Sequence, residues 1–499
     1  MKKMKRIIVV LCMALLVSPD SIAGDLKGSR PNIVILMPDD ISFGSLSAYG
    51  GEVHTPHLDD LKAKGISFEN FHVSPSCAPT RAALMTGRHE FYSGVTHTIN
   101  MRDRPNPDMR FLPEVLREAG YATGMFGKWH LGDEKEYQPD NRGFEEVYLH
   151  GGGGIGQRFA HSADFPGNRY NDPVLRHNDK VIRTKGYCTN LFHEQGMKWM
   201  KEQSEAGHPF FCYLPANVVH APMYPPRDEY LLDKNNTYGT GTRQETINRI
   251  LKNYDNNVGR LIDFLGKEGL LESTLVIFIT DNGSSSGNKG LRGSKLSEYD
   301  GGTHVPCFFY WKGVLEGGLT SDKMVAHMDF FLTFADLAGM EEEAPGTKAW
   351  DGRSMLPLLE NLDSPWPSRY VMTHCGRWSN GNEPNDSKYI KSSVRDERFQ
   401  LVNNRELYDL IQDPGQQNNV IDNYPDEASR LRKSFDAFWE DVRPRMVNEQ
   451  AYKDGPVQPY FDLYKETFGE DAFKEADARG KIDREEYNQR RFARMKNRN

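Results

Sequence analysis

The stretch Ile33-Val34-Ile35-Leu36-Met37-Pro38-Asp39-Asp40 joins an unbroken apolar run to two acidic residues. A short apolar run of this kind predicts a strand that is buried on both faces of a parallel sheet. Similar runs follow at Ala122–Phe126, Phe210–Leu214, Leu275–Thr280 and Val305–Trp311. Helical patterns lie between the runs at Leu112–Ala119, Asn190–Ser204 and Thr246–Glu268. This alternation predicts βα units around a parallel sheet, and therefore an α/β fold.

The first 23 residues differ in character from the rest of the 499-residue chain. Four basic residues precede the apolar run Ile7–Val17, and Ser21-Ile22-Ala23 supplies small residues for a cleavage site. This layout predicts a signal peptide over residues 1–23, so we expect an exported protein, either periplasmic or secreted. The alternative, a membrane anchor, is disfavoured because the run is too short to cross a bilayer. No later segment has the pattern of a membrane span.

The charge balance is acidic. Removal of residues 1–23 takes away four basic residues and one acidic residue, which changes the formal net charge from −8 to −11. We therefore expect no nucleic-acid partner, and any anionic substrate would need a local basic pocket. The remaining cysteines are odd in number, so at least one is unpaired. Those five are Cys77, Cys188, Cys212, Cys307 and Cys375, and the sequence leaves open whether the last four form disulfides.

The pattern changes near Pro365-Trp366-Pro367. Alternating segments predict a small antiparallel sheet at Tyr370–Thr373, Tyr389–Val394, Phe399–Val402 and Glu406–Asp409. Asp426 is then predicted to cap a helix over Glu427–Val442. We predict a main α/β domain over residues 24–365, a C-terminal subdomain over 366–445 and a charged extension over 446–499. The extension is expected to be peripheral helix or partly disordered chain.

Polar residues follow two of the predicted strands at their carboxyl ends. Asp39-Asp40 and Asp281-Asn282 together offer carboxylate and amide oxygens, which suit Ca²⁺ or Mg²⁺ better than zinc or copper. Ca²⁺ is favoured because it tolerates irregular ligand geometry. Each pair taken alone is more often a turn that closes a strand.

Cys77-Ala-Pro-Thr-Arg81 precedes a predicted helix over Thr80–Met85. The amide groups at a helix N-terminus favour negative charge, which suits a nucleophile that attacks an anionic ester. An isolated cysteine is more often a buried thiol, and a lone arginine is more often a solvated charge on a helix face.

Three further motifs carry cations or imidazoles after predicted strands. In Gly127-Lys128-Trp129-His130, an extended backbone would point Lys128 and His130 to the same side. Lysine can hold an anionic oxygen, and histidine can transfer a proton near neutral pH. His220 and Lys295 offer the same chemistry. Taken individually, they are a loop histidine and a surface lysine.

Cys77–Gly87 resembles the maturation signature of the type I sulfatases, in which the cysteine is oxidised to formylglycine. Other matching stretches occur in the family's order at Arg30–Asp40, Thr55–Asp59, Gly65–Phe71, Gly124–Gly132, Leu275–Gly283, Lys289–Pro306 and Glu406–Gly415. Over residues 30–425 the chain is similar to the formylglycine-dependent sulfatases of the alkaline-phosphatase-like superfamily. The resemblance implies a large mixed, mostly parallel sheet flanked by helices, with a smaller C-terminal subdomain built on an antiparallel sheet.

The resemblance also implies a cofactor and a nucleophile. One Ca²⁺ would be held by an oxygen of residue 77 together with Asp39, Asp40, Asp281 and Asn282. A hydroxyl of the hydrated formylglycine at residue 77 would attack sulfur and form a covalent sulfo-enzyme. Cys77 would first need a partner, either a formylglycine-generating or a radical sulfatase-maturing enzyme.

The remaining catalytic residues are assigned by the same resemblance. Arg81 and Lys128 would orient the nucleophile, and His220 and Lys295 would bind the sulfate. His220 would also donate a proton to the leaving alcohol. His130 would accept the proton whose removal expels sulfate and restores the aldehyde.

The expected substrate is a sulfated carbohydrate. His374, Arg377 and Trp378 form the best candidate for contacts to it, since they combine an imidazole, a cation and a ring that could stack on a sugar. A structural junction between strand and loop is about equally consistent with this stretch. Gly151–Gly154 is either a mobile loop near the site or a flexible connection.

Two motifs depart from the family pattern. Ser45 stands where an aspartate is common, and Asp300 and His304 stand where a glutamate and an arginine are common, so details of the substrate pocket are expected to differ. The closest rival function is a formylglycine-dependent phosphonate or phosphate ester hydrolase. A catalytically inactive relative that binds sulfated glycans is the rival from another class.

Overall fold

The computed structural model describes residues 25–227, 242–285, 288–341, 348, 350–378, 383–452 and 458–496. The predicted signal peptide lies outside the described residues. The α-helices are α1 (Pro56–Lys64), α2 (Cys77–Thr86), α3 (Leu112–Glu118), α4 (Cys188–Glu205), α5 (Arg243–Lys267), α6 (Asp300–Thr303), α7 (Asp329–Ala338), α8 (Leu356–Glu360), α9 (Pro425–Val442), α10 (Pro459–Phe468) and α11 (Glu470–Lys496). Among the helices so described, none qualifies as a candidate for spanning a bilayer.

The strands belong to one large sheet, one four-stranded sheet and two small ribbons. In chain order they are β1 (Asn32–Met37), β2 (Ile66–Phe68), β3 (Phe71–His72), β4 (Ala122–Lys128), β5 (Glu146–His150), β6 (Arg158–Phe159), β7 (Ser162–Ala163), β8 (Val174–His177), β9 (Lys180–Arg183), β10 (Phe210–Pro215), β11 (Thr274–Ile279), β12 (Cys307–Tyr310), β13 (Leu319–Ser321), β14 (Val325–Ala326), β15 (Val371–His374), β16 (Ser392–Arg395), β17 (Phe399–Val402) and β18 (Glu406–Asp409).

The large sheet has ten strands in the order β13-β2-β12-β11-β1-β10-β4-β5-β8-β9. Its centre is parallel: β1 pairs with β11 on one side and β10 on the other, and β10 pairs with β4. The outer pairings β5 with β8 and β11 with β12 are antiparallel. The predicted α/β fold with a mixed, mostly parallel sheet is therefore confirmed.

Strand β12 corrects one expectation. The run Val305–Trp311 was grouped with the parallel strands, but β12 runs antiparallel to β11. A parallel neighbour needs a long crossover, usually through a helix that packs on the sheet. In the described part of the connection between β11 and β12, the only α-helix is the four-residue α6, so the chain returns along the same sheet edge.

The core lies on both faces of the sheet. Ile33 and Ile35 pack on the side of α2, α3 and α7, while Val34 and Leu36 pack on the side of α1, α4 and α5. All four side chains are fully buried, and each contributes about 1.5–3 kcal/mol of hydrophobic free energy relative to exposure. This two-sided burial explains why the run is apolar throughout instead of alternating.

The C-terminal part forms the expected antiparallel sheet, β15 to β18, with α9 packed on it. The bounds of β17 and β18 agree with the prediction. Helix α9 begins at Pro425 after the cap residue Tyr424, so Asp426 lies in its first turn and is not the cap. Proline suits this first position because its missing N–H has no helical partner there.

The charged extension is more closely packed than expected. Tyr460 and Tyr464 of α10 and Ala476 of α11 are buried in the same core as Ile33. The ring of Tyr460 also packs so closely on Gly151 that a Cβ there would lie 2.3 Å from it. Helix α10 of the extension therefore packs against the segment around Gly151 through Tyr460.

Candidate active site

Four parallel strands deliver the predicted site residues to one edge of the sheet. Asp39 and Asp40 follow β1, Asp281 and Asn282 follow β11, Lys128 ends β4, and His220 comes after β10. Because β11, β1, β10 and β4 are parallel neighbours, their carboxyl ends meet at the same place. The sheet topology thus brings together side chains that are up to 243 positions apart in the sequence.

The acidic residues form a buried cluster of oxygen atoms. Asn282 donates to Asp40 Oδ1 at 2.7 Å, and the Asp40 backbone N–H donates to Asp281 Oδ1 at 3.2 Å. Ligand atoms of Asp39, Asp40 and His220 lie within 4.8 Å of one another. Burial first, together with the neighbouring Asp39 and Asp281 and against the opposing effect of Lys295, raises the pKa of Asp40 to about 7.

A divalent cation fits this cluster. Asp39 Oδ1 and Asn282 Oδ1 are buried and have no hydrogen-bond partner among the described residues. Buried polar atoms are nearly always hydrogen-bonded, so two such oxygens in one acidic cluster indicate a ligand. A cation there would also offset the repulsion between neighbouring carboxylates. Carboxylate and amide oxygens are the donors that Ca²⁺ or Mg²⁺ prefers.

Three cations surround the acidic residues. Lys128 Nζ lies 2.5 Å from Asp39 Oδ2, Arg81 Nη2 donates to Asp281 Oδ2 at 2.8 Å, and Lys295 pairs with Asp40. Arg81 and Lys128 are almost fully buried, which excludes the solvated-charge interpretation of Arg81. Burial disfavours a charged Asp39, but Lys128, His220 and Lys295 outweigh it and hold its pKa well below the usual range.

Cys77 is the first residue of α2, which begins three residues earlier than predicted. Its side chain is buried, and Sγ lies 3.3 Å from His130 Nδ1. Burial raises the pKa of the Cys77 thiol, while Lys128 and Lys295 act in the opposite direction. The cysteine therefore faces a pocket of positive charge at a helix N-terminus.

His130 has a defined proton arrangement. Its Nε2 lies 2.8 Å from the Thr98 carbonyl oxygen, which can only accept, so Nε2 carries the proton. Burial followed by the charge of Lys128 holds the pKa of His130 well below its usual value. The neutral ring thus turns an unprotonated Nδ1 towards residue 77, as a proton acceptor requires.

The backbone at His130 differs from the expected extended form. Its φ is 63°, in the left-handed region, and Asp40 has a similar φ of 65°. Non-glycine residues in this region are uncommon and cluster at functional sites. Lys128 and His130 still reach the same pocket, but they do so through a turn after β4.

His220 lies in the loop that follows β10. The Tyr170 hydroxyl holds this loop by donating to the His220 carbonyl at 3.0 Å. Burial lowers the pKa of His220 to about 3, while Asp39 raises it and Lys128 lowers it. The negative charge of a bound anion would raise this pKa.

Sequence reasoning missed several supporting groups. The Tyr213 hydroxyl accepts from Arg81 at 3.2 Å, and the Thr98 carbonyl orients His130. Neither residue stood out, since each belongs to an unremarkable segment. The sequence leaves open whether Gly151–Gly154 is a loop near the site or a connection, and the structure places it beside the site: a Cβ at Gly153 would lie 2.3 Å from His130, and one at Gly154 would lie 3.0 Å from His220. The segment therefore lies against His130 and His220, and a side chain at Gly153 would overlap the His130 ring.

The structure corrects the expected roles of His374 and Trp378. His374 Nε2 donates to the Ser387 carbonyl at 2.8 Å, and Nδ1 accepts from the Gly376 N–H at 2.9 Å. Trp378 is 7% exposed, and its ring packs against Phe91 and His374. Both rings therefore belong to the core of the C-terminal subdomain. Packing and satisfied hydrogen bonds leave neither available to stack on a sugar.

Arg377 has a different placement. It is exposed, and its Nη2 donates to Thr98 Oγ1 at 2.8 Å. Thr98 is the residue whose carbonyl orients His130, so Arg377 lies at the rim of the same pocket. Of the three residues proposed for substrate contact in this stretch, Arg377 stays a candidate.

The two departures from the family pattern make local contacts. The Ser45 hydroxyl accepts from the Ser42 N–H at 3.2 Å. His304 Nε2 lies 2.5 Å from the Glu69 carbonyl oxygen, and its ring centroid lies 4.9 Å from that of His72. Ser45 and His304 are therefore engaged in contacts within the protein, and both side chains pack beside the main site.

Comparisons with known proteins identify the family. The sulfatase family model matches residues 31–340, and the model for the C-terminal region of N-sulphoglucosamine sulphohydrolase matches residues 293–440. The chain belongs to the sulfatase family. It is 31% identical to an N-acetylgalactosamine-6-sulfatase from Sus scrofa over 363 residues, a match that covers 66% of each protein and so just under two thirds of that relative.

Solved structures support the same fold. The crystal structure of Ps i-CgsB has a TM-score of 0.72 at 24% identity, and the match covers 88% of this chain and 97% of that one. The structure of BT4656 in complex with its substrate D-glucosamine-2-N,6-O-disulfate has a TM-score of 0.64 at 22% identity, covering 85% and 100%. The alkaline-phosphatase-like fold implied by the sequence motifs is thereby confirmed.

Proposed function

We propose that the protein is a sulfuric ester hydrolase that removes sulfate from a sulfated carbohydrate, with a formylglycine made from Cys77 as nucleophile and Ca²⁺ as cofactor. The observation that carries the proposal is the position of Cys77 at the start of α2, 3.3 Å from His130 and within the field of Lys128 and Lys295. Membership of the sulfatase family supports the reaction. The substrate named for BT4656 is a sulfated sugar, which supports the substrate class.

The metal would be held by Asp39, Asp40, Asp281 and Asn282 together with an oxygen of residue 77. The unpartnered oxygens of Asp39 and Asn282 are the support for this assignment. A bound Ca²⁺ would lower the pKa of the nucleophile and polarise the S–O bonds.

The chain's own residues would divide the reaction into two proton transfers. One hydroxyl of the residue-77 hydrate releases its proton to solvent and attacks sulfur in line, and the bond from sulfur to the leaving alcohol breaks. Lys295 and Lys128 balance the charge that spreads over the sulfate oxygens. His220 donates a proton to the departing alkoxide. Arg81 holds residue 77 and Asp281 in their relative positions.

The second transfer regenerates the aldehyde. His130 Nδ1 accepts the proton of the remaining hydroxyl of residue 77, since its own proton is held on Nε2 by Thr98. The electron pair forms the C=O bond, and the C–O bond to the sulfate breaks, so sulfate leaves as the product. No water needs to attack sulfur a second time.

Maturation and export complete the proposal. The Cys77 side chain is 2% exposed, so a maturing enzyme would have to act before the chain is folded. The predicted signal peptide supports an exported location, periplasmic or secreted, after cleavage near Ala23.

The test joins a mass measurement to an activity assay. Protein from its native producer is digested with trypsin, and the mass of the peptide Gly65–Arg81 is measured. A mass that corresponds to conversion of CH₂SH to CHO is expected at Cys77. The same preparation is then assayed side by side on sulfate, phosphate and phosphonate esters, with and without Ca²⁺.

Each result decides between the candidates. Release of sulfate from sugar sulfates supports the proposal. Faster release of phosphate or phosphonate would reassign the protein to the rival hydrolases. An unmodified Cys77 with calcium-dependent glycan binding and no turnover would favour the inactive binding protein.

A further inference from the structure

The stretch from Cys375 to Trp378 joins the C-terminal subdomain to the rim of the catalytic pocket. On one side, Cys375 Sγ donates to the Leu296 carbonyl at 3.2 Å, next to Lys295. On the other side, Gly376 packs on the backbone of Thr96, where a Cβ would lie 1.8 Å from the carbonyl oxygen. Gly376 has a φ of 62°, so glycine satisfies both the left-handed turn and the close approach. Arg377 is therefore held between the Lys295 and His130 sides of the pocket.

A short chain of contacts connects Arg377 with the nucleophile. Arg377 Nη2 donates to Thr98 Oγ1 at 2.8 Å, the Thr98 carbonyl accepts from His130 at 2.8 Å, and His130 lies 3.3 Å from Cys77 Sγ. Burial lowers the pKa of Arg377, and the Cys77 sulfur acts in the opposite direction. The guanidinium and residue 77 are thus connected through two intermediate residues, Thr98 and His130.

Arg377 is exposed, and its polar partners differ from those of three buried arginines of the molecule. Arg81, Arg369 and Arg395 each pair with an aspartate, at 2.8, 2.6 and 2.9 Å. Within the described ranges, Arg377 has no carboxylate at ion-pair distance and only the neutral Thr98 hydroxyl as a hydrogen-bond partner. A guanidinium has five donors in a planar fork, so most of its binding capacity stays open.

The scissile sulfate does not need this extra cation. Lys128, Lys295 and Arg81 already lie at the acidic cluster, where the sulfate group would react. Arg377 lies at the rim, beyond Thr98, where the rest of the sugar would extend. An unpaired guanidinium at that position matches the bidentate geometry of a carboxylate or a sulfate.

We infer that Arg377 binds a second anionic group of the substrate, a carboxylate or a further sulfate, so that the protein prefers sugars carrying a negative charge besides the sulfate it removes. This inference rests on the proposed function, since it places a sulfated sugar in the same pocket. It assigns Arg377 to substrate selection and leaves the chemical step to the residues around Cys77.

The test compares Arg377→Met and Arg377→Lys with the wild type on three substrates. These are an aryl monosulfate without a second anion, a disulfated glucosamine, and a monosulfated disaccharide that contains a uronic acid. Methionine keeps much of the side-chain stem and removes the fork. Arg405→Met is the matched control, since Arg405 is another exposed arginine of the same subdomain, on the turn before β18.

We expect Arg377→Met to lower kcat/KM for one doubly anionic substrate about 10–100-fold more than for the aryl monosulfate, mainly through KM, as the loss of a charged hydrogen bond predicts. Arg377→Lys should restore part of the preference because it restores charge without the fork. The disulfated and uronate-containing substrates distinguish a second sulfate from a carboxylate. Arg405→Met should leave all three values unchanged.

Equal losses on all three substrates would overturn the inference, since they would mean that Arg377 only positions Thr98. Unchanged values would overturn it as well. Failure of the proposed function would give a different result: the wild-type protein would hydrolyse none of the sulfate esters. In that case calorimetry decides: wild-type protein should bind the disulfated glucosamine at least about tenfold more tightly than Arg377→Met, and equal affinities would reject the role of Arg377.

Discussion

The histidines of the acidic cluster, His130 and His220, and His374 of the C-terminal subdomain have different surroundings. Around His130 and His220, two buried oxygens, Asp39 Oδ1 and Asn282 Oδ1, lack hydrogen-bond partners among the described residues. Around His374, both ring nitrogens are hydrogen-bonded, and burial lowers its pKa to about 4. Both groups are buried and polar, so burial does not separate function from structure. The hydrogen bonds of the ring nitrogens differ between the two regions: His220 Nδ1 has no partner among the described residues, whereas both nitrogens of His374 have one.

The largest effect is expected from Cys77→Ala. Loss of the nucleophile should reduce turnover by about 10⁴-fold or more. Stability should stay within about 1 kcal/mol, since the substitution removes only the one or two heavy atoms beyond Cβ of residue 77. Activity on a sugar sulfate and the midpoint of thermal unfolding would be measured together.

Cys212→Ala is the matched control for that variant, because Cys212 is also buried but lies in the apolar middle of β10. It should keep wild-type turnover. Substantial activity in Cys77→Ala would contradict the nucleophile assignment and remove the distinction between the two cysteines.

Asn282→Ala tests whether the unpartnered oxygens mark a metal site. Loss of one ligand should raise the Ca²⁺ concentration needed for half-maximal activity at least about tenfold. It should also reduce the increase in Tm that Ca²⁺ produces in the wild-type protein, since that increase depends on affinity. The second readout does not depend on turnover.

Asn257→Ala provides the comparison, since Asn257 is equally buried but donates to Asn190 and accepts from Arg260. It should lower stability and leave the Ca²⁺ dependence unchanged. If both variants respond to Ca²⁺ as the wild type does, the acidic cluster is not the metal site.

His220→Ala should have an effect that depends on the leaving group. Sugar sulfates, whose alcohols are poor leaving groups, should lose about 10²-fold in kcat/KM, and activated aryl sulfates about tenfold. The difference arises because proton donation matters less when the alkoxide is already stable. A series of aryl sulfates with different phenol pKa values measures it, and equal losses across the series would exclude His220 as the acid.

The smallest effect on turnover is expected from His374→Phe. The variant loses the hydrogen bonds to Ser387 and Gly376 and should cost about 1–3 kcal/mol of stability. Turnover should change less than about threefold, as is usual for substitutions away from reacting groups. A loss of turnover comparable to that of His220→Ala, at unchanged stability, would return His374 to the substrate site.

Much of the fold could be predicted because it follows from local patterns in the sequence. The bounds of β17 and β18 agree with the alternating segments at Phe399–Val402 and Glu406–Asp409. The direction of β12 could not be predicted, since an apolar run looks the same in a parallel and an antiparallel strand. The connection after β11 decides its direction, since its described part holds no helix longer than the four-residue α6.

Residues of the candidate site could be predicted where the type of side chain itself restricts the chemistry it can perform. Asp39, Asp281 and Cys77 belong to motifs whose order matches the sulfatases, and the structure brings them together. His374 and Trp378 look equally capable in the sequence. Their hydrogen bonds and packing come from Ser387 and Phe91, residues that no local pattern connects with them.

The sequence by itself determined the class of fold, the family and the chemical types at the site. Apolar runs, helix periods and the motif around Cys77 are local properties of the chain. Only the tertiary structure decided which polar groups are satisfied and which remain open, because hydrogen-bond partners come from distant segments. The same contrast separates Arg377 from His374, three positions apart: among the described residues the guanidinium at the rim has no carboxylate partner, and the imidazole is enclosed by its own subdomain.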